Sequence, residues 1–307
     1  MAMLLWLARA LIWLLSFLPQ ASLNGLARLL AALTYRLPWH KNAIIDRNLS
    51  LCFPDLDEAS RRSLHQRHLY ELFRLVFEAP VLWHWSGEKI RSRITNETEL
   101  KTILETGSET RSGQTPVARS ASIGTLFVTG HFGNWELLNL SLSTNGPMTT
   151  LYRAPSHPAL DRFINAPRRR FGGRMVPGDR AALKYLLQAL RNGEAVGIAA
   201  DIQPKRGDGL FVPFFGIDTL TMTLVHKLAG KTGCRVILID LVRDADGRGW
   251  TQRLTDATEM MAKNDSAEAL TAMNRWLEDR IRSAPEQYLW LYKRFSRRPE
   301  GEGRIYP

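Results

Sequence analysis

Apolar residues recur along this chain in two patterns: short β-branched runs and longer stretches with helical spacing. Thr125–Thr129, in GTLFVTGHFGNWELL, is apolar and β-branched and predicts a buried strand. Gly130 ends it, Gly133 and Asn134 predict a tight turn, and Glu136–Leu140 begin a helix. Further strands are predicted at Met148–Arg153, Ala195–Ala200 and Cys234–Val242, with Trp250–Thr255 as an edge strand. Helices are predicted at His157–Phe171, Arg180–Asn192, Leu220–Thr232, Ser266–Ser283 and Glu286–Phe295. FVPFFG (Phe211–Gly216) reads as an aromatic, apolar loop. Such alternation predicts an α/β fold, a mixed central sheet covered by helices on both faces.

The N-terminal part follows a different pattern. Leu4–Leu18 is the most apolar window, with Trp6 and Trp13 suited to a membrane interface. It is shorter than the about 20 residues of a comfortable span. Arg9 interrupts it, at a cost of roughly 2.5–3.5 kcal/mol at mid-bilayer. No basic cluster precedes the run and no A-x-A site follows, which argues against a signal peptide. Leu23–Leu37 reads as a second apolar helix carrying arginines. Residues 1–38 are therefore expected to form a membrane-anchor or interfacial segment, spanning or lying flat, ahead of an α/β domain over 39–307, with a buried N-terminal hairpin as the alternative. Residues 40–95 of that domain are helical in pattern, and His65 and His68 are assigned to a solvated basic face. Gly107–Ala121 is polar and reads as a flexible loop.

Composition narrows the chemistry. A 307-residue chain that is 45% hydrophobic can bury a sizeable core. A net charge of +11 points to an anionic partner: nucleic acid, an acidic membrane surface, a phosphorylated lipid or an acidic carrier protein. The two cysteines, Cys52 and Cys234, form no C-x-x-C pair, and no zinc spacing appears, so no metal site is expected. No G-x-G-x-x-G or G-x-S-x-G is present, and AGKTG (Ala229–Gly233) lacks the first glycine of a phosphate loop.

His131 is the leading chemical candidate. A histidine at the C-terminal end of a buried strand lies where open α/β sheets place their chemistry. A carboxylate on the following helical turn, Glu136, can fold back to fix its tautomer and make it a general base. Arg153, at another strand end, is a candidate for binding a phosphate or polarising a carbonyl. Arg168, Arg169, Arg170 and Arg174 form a candidate phosphate clamp, and Lys205, Arg206, Lys293, Arg294, Arg297 and Arg298 extend the basic character. Asp201 ends a strong strand and is expected to orient Arg153 or to cap the following turn. Phe214 and Phe215 are expected either to plug the core or to line an acyl chain.

Several blocks together carry a family resemblance. They are RNLSLCFPDL (Arg47–Leu56), TGHFGNWEL (Thr129–Leu137), LYRAPSHPALD (Leu151–Asp161), GIAADIQP (Gly197–Pro204), LFVPFFG (Leu210–Gly216) and PEQYLWLYKRFSRRPEGE (Pro285–Glu302). In this order they resemble the late lauroyl/myristoyl acyltransferases of bacterial lipid A biosynthesis, and so the wider H-x4-D/E glycerolipid acyltransferases. The resemblance implies His131 as general base with Glu136 orienting it. It also implies an N-terminal anchor in the bacterial inner membrane, with catalysis on the cytoplasmic side. The implied reaction moves a fatty acyl chain from acyl carrier protein, or acyl-CoA, to a hydroxyl of a phosphorylated glycolipid, with no cofactor.

Such acyl transfer needs a base, oxyanion donors and a greasy slot. The backbone N–H groups of Phe132–Asn134, including Gly133 and Asn134, or a nearby arginine, are the candidate oxyanion donors. Without a serine elbow, direct attack by the acceptor hydroxyl is the simpler route. A lysophospholipid, an ornithine lipid or a polyene glycolipid would serve as acceptor with the same chemistry. A non-catalytic lipid- or nucleic-acid-binding protein is the alternative of another class, but no nucleic-acid motif supports it.

Overall fold

A computed structural model describes residues 14–106, 124–179 and 181–306. Helices α1 (Gln20–Arg36), α2 (His40–Cys52), α3 (Glu58–Leu82) and α4 (Gly87–Arg91) lead into strand β1 (Ile94–Thr95) and α5 (Glu97–Thr106). Then come β2 (Thr125–Thr129), α6 (Trp135–Ser143), β3 (Met148–Tyr152), α7 (Pro158–Arg168), β4 (Arg174–Pro177), α8 (Ala182–Arg191) and β5 (Ala195–Ala199). The chain continues through β6 (Gly209–Phe214), β7 (Ile217–Met222), α9 (Leu224–Thr232), β8 (Arg235–Arg243), β9 (Trp250–Asp256), α10 (Thr258–Met261) and α11 (Ser266–Ser283).

Seven strands form one mixed sheet in the order β1-β9-β8-β2-β5-β3-β4, parallel except where β8 meets β9. Its two faces follow from strand alternation. Leu126, Val128, Val196, Ile198, Val236 and Leu238 point to one side and pack on α8, α9 and α11. Phe127, Ile237, Ile239 and Leu241 point to the other and meet the α6 leucines, Leu82 and Ile90. A third cluster joins α2, α3 and the C-terminal segment around Phe132, Phe214, Trp290 and Phe295. The expected mixed α/β sheet with helices is thus observed.

Several local expectations are corrected. Leu220–Met222 belongs to β7, and the helix starts at Leu224, because Ile217–Met222 pairs antiparallel with Gly209–Phe214. FVPFFG is one arm of a β-hairpin, turning at Phe215 and Gly216, both at positive φ. Trp250–Asp256 is not an edge strand, since β1 pairs beyond it. Glu286–Phe295 is not helical: a single 3-10 turn at Pro285–Gln287 leads into irregular chain. His65 and His68 are buried rather than solvated, bonded through Nδ1 to Asp46 (2.7 Å) and to the Glu286 carbonyl (3.2 Å).

Of the expected anchor Leu4–Leu18, residues 4–13 lie outside the described residues, as does the polar loop over 107–121. Among the described residues no helix is long and apolar enough to cross a membrane. The 17-residue α1 buries Leu23, Ala27 and Ala31 and packs on α3.

Candidate active site

Strand register builds the centre. β2 and β5 are parallel neighbours with Thr129 opposite Ala199, so His131 and Asp201 stand two residues beyond the same level of the sheet. The Asp201 carboxylate accepts the His131 backbone N–H at Oδ2 (2.8 Å) and meets the ring Nδ1 at Oδ1 (2.8 Å). An ionised carboxylate only accepts, so Nδ1 carries the proton and Nε2 keeps its lone pair. The His131 side chain is 25% exposed and that of Asp201 3%. Burial opposes the charge on His131, but the attraction and hydrogen bond of Asp201 outweigh it and raise the ring's pKa. Burial pushes Asp201 upward, yet His131 and then Arg294 hold it below the usual carboxylate range.

Glu136 does not make the expected pairing with His131. Its carboxylate is gripped by the Arg168 fork, with Nε at 3.0 and 3.1 Å and Nη2 at 2.7 Å, and takes the Trp83 indole N–H at 2.8 Å. On the first turn of α6 its side chain is drawn to the α7 terminus instead. Arg168 still senses the centre, because its cation acts against the charge on His131. The site therefore holds two carboxylates with separate partners: Asp201 on the imidazole and Glu136 on a guanidinium.

Gly133 has φ +63°, and a Cβ there would collide with the Leu241 carbonyl. Its N–H donates to the Gln287 carbonyl (3.0 Å), and that of Asn134 to the Leu241 carbonyl (2.7 Å). These two expected oxyanion donors are spent on holding the turn. The Asn134 side chain caps α6 through the Leu137 N–H (2.9 Å). The turn is walled by the C-terminal segment, where Leu289 N–H donates to the His131 carbonyl (3.0 Å).

Other candidates disperse. Arg153 is exposed beyond β3, on the same rim as His131 but two strands from β2. Arg174 opens β4, on the opposite rim, and pairs with Glu194, so it is no part of this centre. Arg170 bonds the Trp83 and Trp85 carbonyls at the end of α3, and Arg169 is exposed, so the arginine run is not gathered into one phosphate clamp. Phe214 and Phe215 are buried in the third cluster among Phe53, Trp290 and Phe295, which is the core-plugging alternative. Arg294 is not surface charge: it is 2% exposed and bonds the Leu220 carbonyl and Thr221 Oγ1. Gln203 accepts from Ser296 Oγ (2.8 Å) and fastens the C-terminal segment.

Beside the turn lies an open cleft. Leu72, Leu75, Trp135 and Leu289 give it apolar walls, and His68 and Arg243 lie among its polar lining. Arg243, Glu71, Arg74 and Glu78 form a buried ion network there, with Asn134 Nδ2 reaching Glu78 at 3.4 Å.

A parallel-sheet rim carrying a His–carboxylate pair, beside a cleft of mixed apolar and charged lining, gives this α/β protein a group able to accept a proton. The chain belongs to the bacterial lipid A biosynthesis acyltransferases, whose family model matches residues 1–297. It is 31% identical to the lipid A biosynthesis lauroyltransferase of Escherichia coli K12, over 97% of this chain and 93% of that protein. To the palmitoleoyltransferase of the same organism it is 27% identical, over 99% and 94%. To the myristoyltransferase it is 25% identical, over 84% and 76%. Membership makes the chain an acyltransferase.

Proposed function

We propose that this enzyme transfers a fatty acyl chain from acyl carrier protein to a hydroxyl of a phosphorylated lipid A precursor, at the cytoplasmic face of the bacterial inner membrane. The observation that carries the reading is the Asp201–His131 pair at the sheet rim, in a chain of this family. The Nε2 lone pair of His131 takes the acceptor's hydroxyl proton as its oxygen attacks the thioester carbonyl. Arg168 then faces the developing oxyanion. Its Nε–Nη2 edge is held by Glu136, and its Nη1 edge carries no hydrogen bond among the described residues. Collapse of the tetrahedral intermediate expels the thiolate, which takes the proton back from the imidazolium. The bond formed is the ester and the bond broken is the thioester.

The apolar walls Leu72, Leu75, Trp135 and Leu289 suit the start of the acyl chain. Membrane attachment through residues 1–38 is supported by α1. Its inner face docks on α3, while Leu29 and Leu33, with Leu37 just beyond, stay exposed, as do Phe17 and Leu18. The net charge of +11 suits an anionic carrier and anionic headgroups.

Lipid A mass spectrometry in a strain lacking this gene product tests the reading. Restoring the chain should add one ester-linked acyl group, and His131→Ala should not. An unchanged lipid A beside an altered phospholipid or ornithine-lipid profile would move the acceptor elsewhere.

A further inference from the structure

Trp135 is an aromatic neighbour of the candidate base. Its ring meets the His131 imidazole edge-on, with centroids 5.3 Å apart and an interplanar angle of 67°, inside the range of an aromatic contact. The placement follows from the turn. The Asn134 side chain caps α6 through the Leu137 N–H (2.9 Å), so Trp135 is the first residue of the helix. Glu136 comes next, about 100° further round the helix, and is taken by Arg168 and the Trp83 indole. Trp135 instead meets His131 and lines the cleft.

The apolar lining of that cleft comes from two places. Trp135 belongs to the His131 turn, and Leu289 is tied to it by its N–H on the His131 carbonyl (3.0 Å). Leu72 and Leu75 belong to α3. Because Asp201 holds Nδ1 of the imidazole, the working end of the ring is Nε2. Acyl transfer brings the acceptor hydroxyl and the thioester carbonyl together at that nitrogen, and the chain runs on from the carbonyl through its second carbon. A side chain packed on the ring and lining the cleft bounds the first carbons of the chain, not its far end.

Resting on the acyl-transfer reading and the base role given to His131 above, we propose that Trp135 is a specificity-determining residue, whose indole limits the girth of the acyl chain beside the reacting carbonyl. An unbranched chain passes it, and a chain branched at the carbon next to the carbonyl is turned away. Close-packed side chains do not part freely, and one methylene of bulk in an apolar pocket is worth roughly 10–200-fold in selectivity. Truncating the indole opens this end of the cleft while Leu72 and Leu75 stay in place on α3.

The test is a competition in which the full chain chooses between two acyl carrier protein thioesters of equal main-chain length, one unbranched and one with a methyl group on the second carbon. A phosphorylated disaccharide lipid is the acceptor, and mass spectrometry of the products gives the ratio of the two kcat/KM values. Wild type should favour the unbranched donor by at least about tenfold. Trp135→Ala should cut that preference by about tenfold, and Trp135→Phe, which keeps a smaller ring, should fall between. The ratio is the readout because a merely structural loss lowers both rates alike. If Trp135→Ala fails to fold, Trp135→Leu decides, with the same direction expected. A wild type without the preference, or a folded Trp135→Ala with the wild-type ratio, overturns the proposal. His131→Ala separates the two levels. If it is inactive on both donors while the Trp135→Ala ratio stays put, only this inference falls. If it transfers either donor at the wild-type rate, the base assignment falls, and if wild type transfers neither donor, the acyl-transfer reading falls.

Discussion

Asp201→Asn is the sharpest perturbation of the centre. The carboxylate makes two 2.8 Å bonds to His131, one to the backbone N–H and one to Nδ1. An asparagine can keep its carbonyl on the backbone N–H, but its amide then presents a donor to Nδ1. That reverses the tautomer, puts the proton on Nε2, and removes the lone pair that must take the hydroxyl proton. General-base catalysis contributes typically about 10²–10⁴-fold, and the same tautomer reversal in a serine-protease triad costs about 10⁴. The expected result is a fall in kcat of about 10³, with KM little changed. Steady-state transfer to a radiolabelled acceptor, with circular dichroism as a fold check, reads this out. Glu136→Gln is the comparator. Glu136 holds Arg168 rather than the imidazole, so its loss should lower the rate by less than Asp201→Asn does. Asp201→Asn within tenfold of wild type, together with a larger fall in Glu136→Gln, would refute this assignment of the two carboxylates.

Other expectations follow from the surroundings. Arg168→Ala should cost about 10²–10³ in kcat, the usual loss for one oxyanion donor, measured in the same assay. Glu78→Ala strips a 2%-exposed counter-charge from Arg243 and Arg74 and should destabilise the fold by about 3–5 kcal/mol in urea unfolding. Burial pushes His68 down to about 3 from an ordinary 6.5, so the native ring stays neutral while the unfolded ring takes up a proton. The stability it contributes is complete above pH 6.5 and falls as pH drops toward 3, by about 1.4 kcal/mol per unit, and His68→Gln should flatten that slope in denaturation at stepped pH. Gly133→Ala should leave little folded, active protein, because both its φ and the Leu241 carbonyl exclude a Cβ.

Much of the framework is legible in the residue pattern. Thr125–Thr129 and Ser266–Ser283 are found with the bounds their periodicity predicts, since uninterrupted β-branched runs and capped amphipathic runs admit one reading. The misreadings share a cause. Tyr288, Leu291 and Phe295 have helical spacing, but they pack with residues distant in sequence, Phe132 and Phe214 among them. Ile217–Met222 adjoins a true helix, and only its pairing with Gly209–Phe214 shows it to be a strand. Asp201 was visible as a strand-end carboxylate, but its partner was not, because that depends on strand order. Once β5 lies beside β2, the register alone sets it level with His131. Proximity along the chain favours Glu136, yet Arg168 and Trp83, far from it in sequence, claim that side chain. Arg294 reads in the sequence as part of a basic surface, yet it is 2% exposed, because an arginine in a basic tail looks like surface until the tail folds back.

The most direct measurement of the central claim is a single-turnover reaction of the purified protein with acyl-loaded carrier protein and a phosphorylated disaccharide lipid, comparing wild type with His131→Ala. The account predicts rapid appearance of the acylated lipid with wild type and a rate lower by at least about a hundredfold in the folded variant. Transfer by His131→Ala at the wild-type rate would contradict it.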